Sequence, residues 1–169
     1  YYLMRDIATG QDADFNEDRL RSRYQADLAN DLGNLVNRTV SMAHRYRGGV
    51  PVVPAQEASP EASALAATGA AAAAEFDAAM ADGFRVHAAL ESAWTLITAA
   101  NAFVERSAPW KLAKDPEKSA VLDEVLVVLV EAARLAAALV HPVIPRSAST
   151  LLGQLGFDGD LAAQWGRVR

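Results

Sequence analysis

Side chains that carry both hydrogen-bond donors and acceptors, or forked donors, recur along one stretch of this sequence: Asn30, Asn34, Arg38 and Arg45, at spacings of four and seven. A helix turns about 100° per residue, so they form a continuous polar stripe, and Asn34 stands about 200° around the axis from Leu32, away from the apolar side. Asparagine offers a donor beside an acceptor, and arginine offers a planar fork of donors that also stacks; these are the types that read base edges. No acidic residue lies between Asn34 and Arg47. A solvated helix face with an asparagine bonding a local backbone group has the same pattern, and the stripe alone leaves both readings open.

A second stretch, Asn101-Ala102-Phe103-Val104-Glu105-Arg106-Ser107-Ala108-Pro109-Trp110-Lys111, places an aromatic directly after a proline at a helix break. Rigid backbone can hold such a ring at the surface, where stacking on an unpaired base is worth roughly 1–3 kcal/mol. The competing reading has Trp110 folding back to plug the end of the fold. Lys111 and Lys114 suit phosphates and equally suit an ordinary surface. His44, His87 and His141 share no ligand spacing, no glycine-rich loop follows a strand, and the carboxylates are scattered. No catalytic constellation and no metal site emerges.

Helices must position these residues. Residues 1–7 read as the last turns of one helix, and residues 8–12 as a loop punctuated by Gly10. Asn16 is an N-cap followed by Glu17 and Asp18, whose charge suits the helix dipole. Leu20, Tyr24, Leu28, Leu32, Leu35, Thr39, Ala43 and Tyr46 then recur at threes and fours, which predicts one helix to Tyr46, ended by Gly48-Gly49. Pro51, Pro54 and Pro60 make the next stretch an extended connector. Residues 61–81 are alanine-rich and helical, close-packed or solvent-facing, with Gly69 as a potential break. Val86, Leu90, Trp94, Ile97, Asn101 and Val104 mark a helix ended by Pro109. Residues 117–140, apolar on nearly every face, predict a central helix. Residues 141–145 stop it, 147–155 form a short helix, and 157–169 are weakly patterned. The fold class is all-α, an antiparallel helix bundle.

The chain has 169 residues, 51% of them hydrophobic, enough for a sizeable core. Its net charge of −5 and pI near 5.2 argue against holding nucleic acid by bulk electrostatics, so any RNA contact is local. The absence of cysteine fits a reducing, cytoplasmic setting. Tyr1 and the residues after it lack the marks of a signal peptide, and the chain reads as beginning inside a longer protein. Residues 120–140 could tempt a membrane assignment, but Asp123, Glu124, Glu131 and Arg134 interrupt them at high cost in lipid.

Arg5-Asp6-Ile7 and Gly10 to Phe15, then Asp27 to Arg38, Asn101 to Trp110, and His141 to Pro145 together resemble, in order and spacing, the anticodon-binding domain of bacterial methionyl-tRNA synthetases, which are class I aminoacyl-tRNA synthetases. The resemblance covers nearly the whole chain. It implies a helical bundle that recognises the methionine anticodon, with Asn34 and Arg38 of the Gly-Asn-Leu-x-x-Arg pattern contacting the anticodon and Trp110 of the Ala-Pro-Trp pattern stacking on it. Asn30, Arg45, Lys111 and Lys114 are the supporting candidates. The full enzymes that this looks like activate methionine with ATP and Mg²⁺ and transfer it to tRNA. Their catalytic signatures are not in this sequence, so no cofactor is expected on this segment. The implied partners are a methionine tRNA and the parent's own catalytic domain, with no DNA and no membrane. Residues 1–15 would then end the segment that joins the two domains, 16–155 would be the anticodon domain and 156–169 a tail. Residues 61–81 depart from the family's usual sequence. The anticodon domain of a related synthetase for isoleucine, valine, leucine or cysteine is an alternative. Another is a helical protein-interaction scaffold, which predicts an exposed apolar groove and no dependence on RNA.

Overall fold

The computed structural model describes residues 1–157, and every regular element among them is helical. The elements are α1 (Tyr2–Asp6), α2 (Glu17–Arg23), a π-helical segment (Tyr24–Gly33), α3 (Asn34–Arg47), α4 (Pro60–Ala81), α5 (Val86–Ser107), the single turn α6 (Pro109–Leu112), a 3₁₀ turn (Pro116–Lys118), α7 (Ser119–Val140) and α8 (Pro145–Gln154). The weakly patterned tail lies, from residue 158 on, outside the described residues.

The long helix expected from residue 17 to 46 forms, and Asn16 caps it by accepting from the Arg19 amide at 2.9 Å. Its register is not uniform, however. Ten residues in the middle pair five back instead of four, so the 100° step used to draw the polar stripe fails between Tyr24 and Gly33. Gly48 ends α3 in the left-handed conformation, φ +63°, returning its amide to Ala43 and His44.

Helix α4 runs through Gly69 without a break. Ala62, Leu65, Gly69, Ala72, Phe76 and Ala79 are buried at intervals of three and four, so one face is close-packed and the other exposed. A Cβ on Gly69 would stand 3.1 Å from Leu135 Cδ2, which shows how near α4 lies to α7. The short turn at residues 82–85 sends α5 back along α4 as an antiparallel neighbour.

Helix α7 is the centre. It packs against α3, α4, α5 and α8, and Leu122, Leu126, Leu129 and Leu139 are buried to 2% exposure or less. Truncating such a leucine to alanine costs about 2–5 kcal/mol. The helix begins at Ser119, two residues later than expected, because Pro116 opens a 3₁₀ turn first. Each of its two buried charges has a partner: Arg134 pairs with Glu131 at 2.5 Å, and Glu124 accepts from the Ser59 amide at 2.6 Å, at the start of α4. Helix α8 starts at Pro145, two residues earlier than read, since proline suits the first helical position. None of the described helices is long and apolar enough to cross a membrane.

Candidate functional site

The site is assembled where α3 begins and α5 ends. Asn34 is the first residue of α3 and is exposed; Arg38 follows one turn later and is half-buried. Ser107 ends α5, Ala108 adopts the left-handed conformation at φ 44° and ψ 61°, and Pro109 starts α6. An alanine in that region carries a penalty of about 1–2 kcal/mol. The reversal it produces returns the chain toward α3, and Pro109, whose side is buried, fixes the first turn.

Trp110 is the result. Its ring lies 5.7 Å from the Arg38 guanidinium carbon, and 37% of the residue stays exposed. It does not plug the end of the bundle. The Arg38 fork is also paired with Glu105, Nη1 to Oε1 at 2.6 Å. Glu105 is mostly exposed, so the pair adds only about 0–1 kcal/mol to stability; its effect is to orient the guanidinium beside the ring.

Asn30 and Asn34 share a shallow, mostly polar hollow of about 480 Å³ with Asn37, Ala29 and Gly33. Asn30 accepts from Gln25 Nε2 at 3.1 Å. Of the candidates read from sequence, Arg38 and Trp110 touch, and Asn30 and Asn34 line one hollow. Arg45 is exposed two turns further along α3, where its guanidinium faces the Tyr46 ring at 5.7 Å. Lys111 and Lys114 are exposed beside and beyond Trp110. Sequence reasoning missed Asn37, although it sits inside the same pattern, and it missed Glu105, which no local spacing connects with Arg38 across 67 residues.

The segment before α3 is anchored by charge. Asp6 pairs with Arg19 at 2.7 Å and Arg23 at 2.9 Å, while Asp27 accepts from the Tyr1 hydroxyl at 2.5 Å and faces Arg5 at 3.3 Å. The hydrogen bond from Arg23 lowers the Asp6 carboxyl below the usual range. Burial, then the nearby charge of Asp27, raises Asp31. Burial together with the bond to Asp27 pushes the Tyr1 phenol up. The histidines stay apart: His44 covers Gly49, His87 Nδ1 meets the Arg5 carbonyl at 2.7 Å, and His141 meets Ser149. Among the described residues no group of three or more His, Asp or Glu side chains is placed to hold a metal ion.

Comparison with known proteins points one way. A family model for the anticodon-binding domain of methionyl tRNA ligase matches residues 52–167, and one for class I tRNA synthetases (M) matches residues 1–40. Trp110 falls in the first match, Asn34 and Arg38 in the second. The methionine–tRNA ligase of Enterococcus faecalis is 38% identical over 158 residues, 94% of this chain and 24% of the relative, and that of Synechocystis is 39% identical over 166 residues, 98% and 30%. The Mycobacterium tuberculosis methionyl-tRNA synthetase in complex with methionyl-adenylate superposes with a TM-score of 0.92 at 32% identity, covering 99% of this chain and 33% of that one. Its apo form gives 0.88 at 33% identity, covering 93% and 32%. The chain thus spans about a quarter to a third of the length of these proteins.

Proposed function

Because the chain belongs to the family of anticodon-binding domains of methionyl-tRNA ligases, we propose that it binds the anticodon loop of a methionine tRNA on behalf of a ligase that attaches methionine to that tRNA in the cytoplasm. The observation that carries this reading is the Arg38 guanidinium 5.7 Å from the ring of a one-third-exposed Trp110, one helical turn from Asn34 and its polar hollow. Trp110 offers a platform for an unpaired base, a contact that is tolerant of sequence. Asn34 and Arg38 supply the donors and acceptors that distinguish one base edge from another. Asn30 supports Asn34; Arg45, Lys111 and Lys114 supply charge to loop phosphates.

ATP and Mg²⁺ belong to the parent ligase's catalytic domain. The described residues offer no grouping fitted to a metal ion, and no step of the chemistry is assigned to them. Residues 1–15 serve as the end of the joining segment, 16–155 as the anticodon domain and 156–169 as a tail, with the parent's own catalytic domain as a partner.

The test is titration of a labelled methionine anticodon stem-loop with the 169-residue chain at fixed salt. Trp110→Ala should weaken binding by about 1–3 kcal/mol, roughly 5- to 150-fold, and a stem-loop with a changed anticodon should bind less well than the cognate one. If the Trp110→Ala chain binds cognate and changed loops as the unsubstituted chain does, the assignment is wrong. Preference for an isoleucine, valine, leucine or cysteine anticodon would transfer it to a related synthetase.

A further inference from the structure

The turn between α4 and α5 runs through two left-handed residues in succession, Gly83 at φ +73° and Phe84 at φ +53°. Glycine adopts that conformation freely, whereas a bulky residue there is a steric outlier that persists only where its surroundings hold it. The turn is tied down. The Phe84 carbonyl accepts from the Val86 amide at 2.7 Å and from the Thr9 hydroxyl at 3.4 Å, and Arg85 pairs with Asp82 at 3.0 Å. Yet the ring gains little from the fold, since 71% of Phe84 is exposed. Neither backbone preference nor burial among the described residues accounts for a phenylalanine at this position.

Leu3 and Met4 of α1 and Phe15 of the loop after it are exposed as well. Their elements meet at this end of the bundle. Thr9 reaches Phe84, the Arg5 carbonyl meets His87 Nδ1 at 2.7 Å in the first turn of α5, and the Phe15 ring packs edge-on against Tyr2 at 5.9 Å. Exposed apolar groups gathered in this way mark interaction surfaces. The other end of α5 carries the break before Trp110, 22 residues on, or about 33 Å at 1.5 Å per residue, so this surface lies clear of the proposed RNA site. Two observations bear on what covers it. The chain spans only a quarter to a third of the length of its relatives, and residues 1–40, which carry α1 and the Thr9 loop, match the class I synthetase model, whereas the anticodon-domain model begins at residue 52. We propose that Phe84, held outward by its left-handed backbone, is the aromatic anchor of a docking surface that seats in an apolar socket on the parent ligase's own catalytic domain, with Leu3 and Met4 beside it. Buried aromatic anchors carry much of the energy of such contacts. The inference rests on the reading of the chain as the anticodon domain of such a ligase.

The experiment compares the 169-residue chain with the full-length ligase. With para-fluorophenylalanine in place of Phe84, the fluorine signal should shift between light and heavy water in the isolated chain and lose that shift in the ligase, where the ring is covered. Asparagine tolerates the left-handed conformation, so Phe84→Asn should leave the isolated chain folded and its affinity for the methionine anticodon stem-loop unchanged. In the full-length ligase the same substitution should lower kcat/KM for charging tRNA about tenfold, because docking fixes the anticodon end relative to the reacting centre. Exchange of pyrophosphate into ATP, which needs methionine but no tRNA, should keep its rate. A fluorine that stays exposed to solvent in the ligase, or charging that Phe84→Asn leaves intact, overturns the docking role. So does sedimentation of the isolated chain as a dimer that Phe84→Asn dissociates, which would give the surface to a second copy. If the unsubstituted chain fails to bind the stem-loop, the anticodon reading falls, and the fluorine signal in the ligase still decides the docking.

Discussion

Arg38 is placed by two neighbours of opposite kind, the Trp110 ring at 5.7 Å and the Glu105 carboxylate at 2.6 Å. Two of these three were legible from residue type and from the break before Trp110. Glu105 was not, because an exposed acid near a helix end is common and its partner is 67 residues away. Two other acids illustrate how placement decides the sign of a charge. Asp6 is lowered by its hydrogen bond from Arg23, so its contribution to stability is present above the unfolded value of about 3.9 and is lost as pH falls through the lower folded value. Asp31 is raised by burial and then by Asp27, so its contribution is present below about 3.9 and lost as pH rises through the raised value. Asp6→Asn should therefore lower the melting temperature at pH 7, with the deficit closing in acid. Asp31→Asn should raise it at pH 7, with the gain vanishing below about pH 4. Melting curves of both variants between pH 3 and 7 check this; shifts that do not vary with pH would mean that packing, not charge, sets them.

The helices themselves were mostly readable, since caps, prolines and three-four spacing are local signals. The N-cap at Asn16, the stop at Gly48, and the break at Pro109 fell where expected. Gly69 shows the limit of a local signal. Read alone it is a potential break; in the fold it is the point at which an added Cβ would stand 3.1 Å from Leu135. Gly69→Val should destabilise the chain by about 1–3 kcal/mol through overpacking, whereas Gly153→Ala, with nothing within 4 Å, should stabilise it by about 1 kcal/mol through helix propensity. Urea unfolding of the two variants separates them, and equal effects of the same sign would refute the packing argument. The π segment is the other case. Hydrophobic periodicity continues across it, with Leu32 buried and Leu28 half-buried, so the apolar pattern carried no mark of the changed register. The five-back pairing shows only in the coordinates.

Across the whole molecule the net charge of −5 bears on the proposed mode of binding. If Arg45, Lys111 and Lys114 make the phosphate contacts proposed above, the logarithm of stem-loop affinity should fall against that of salt with a slope of about −2, since each neutralised phosphate of a single strand contributes about −0.7. Lys111→Ala and Lys114→Ala should each flatten the slope by that amount; a much steeper slope in the unsubstituted chain would show that other basic residues hold the RNA. By itself the sequence determined the all-α class, the order of the helices, the central place of the apolar α7 and the residue types at Asn34, Arg38 and Trp110, because propensity, capping and amphipathic spacing act within a few residues. Only the tertiary structure decided that Arg38 meets Trp110 and Glu105, that Gly69 continues a helix, and that Asn30, Asn34 and Asn37 share a hollow. Those outcomes depend on how closely whole helices approach and in what register they pair, and packing between segments dozens of residues apart sets both.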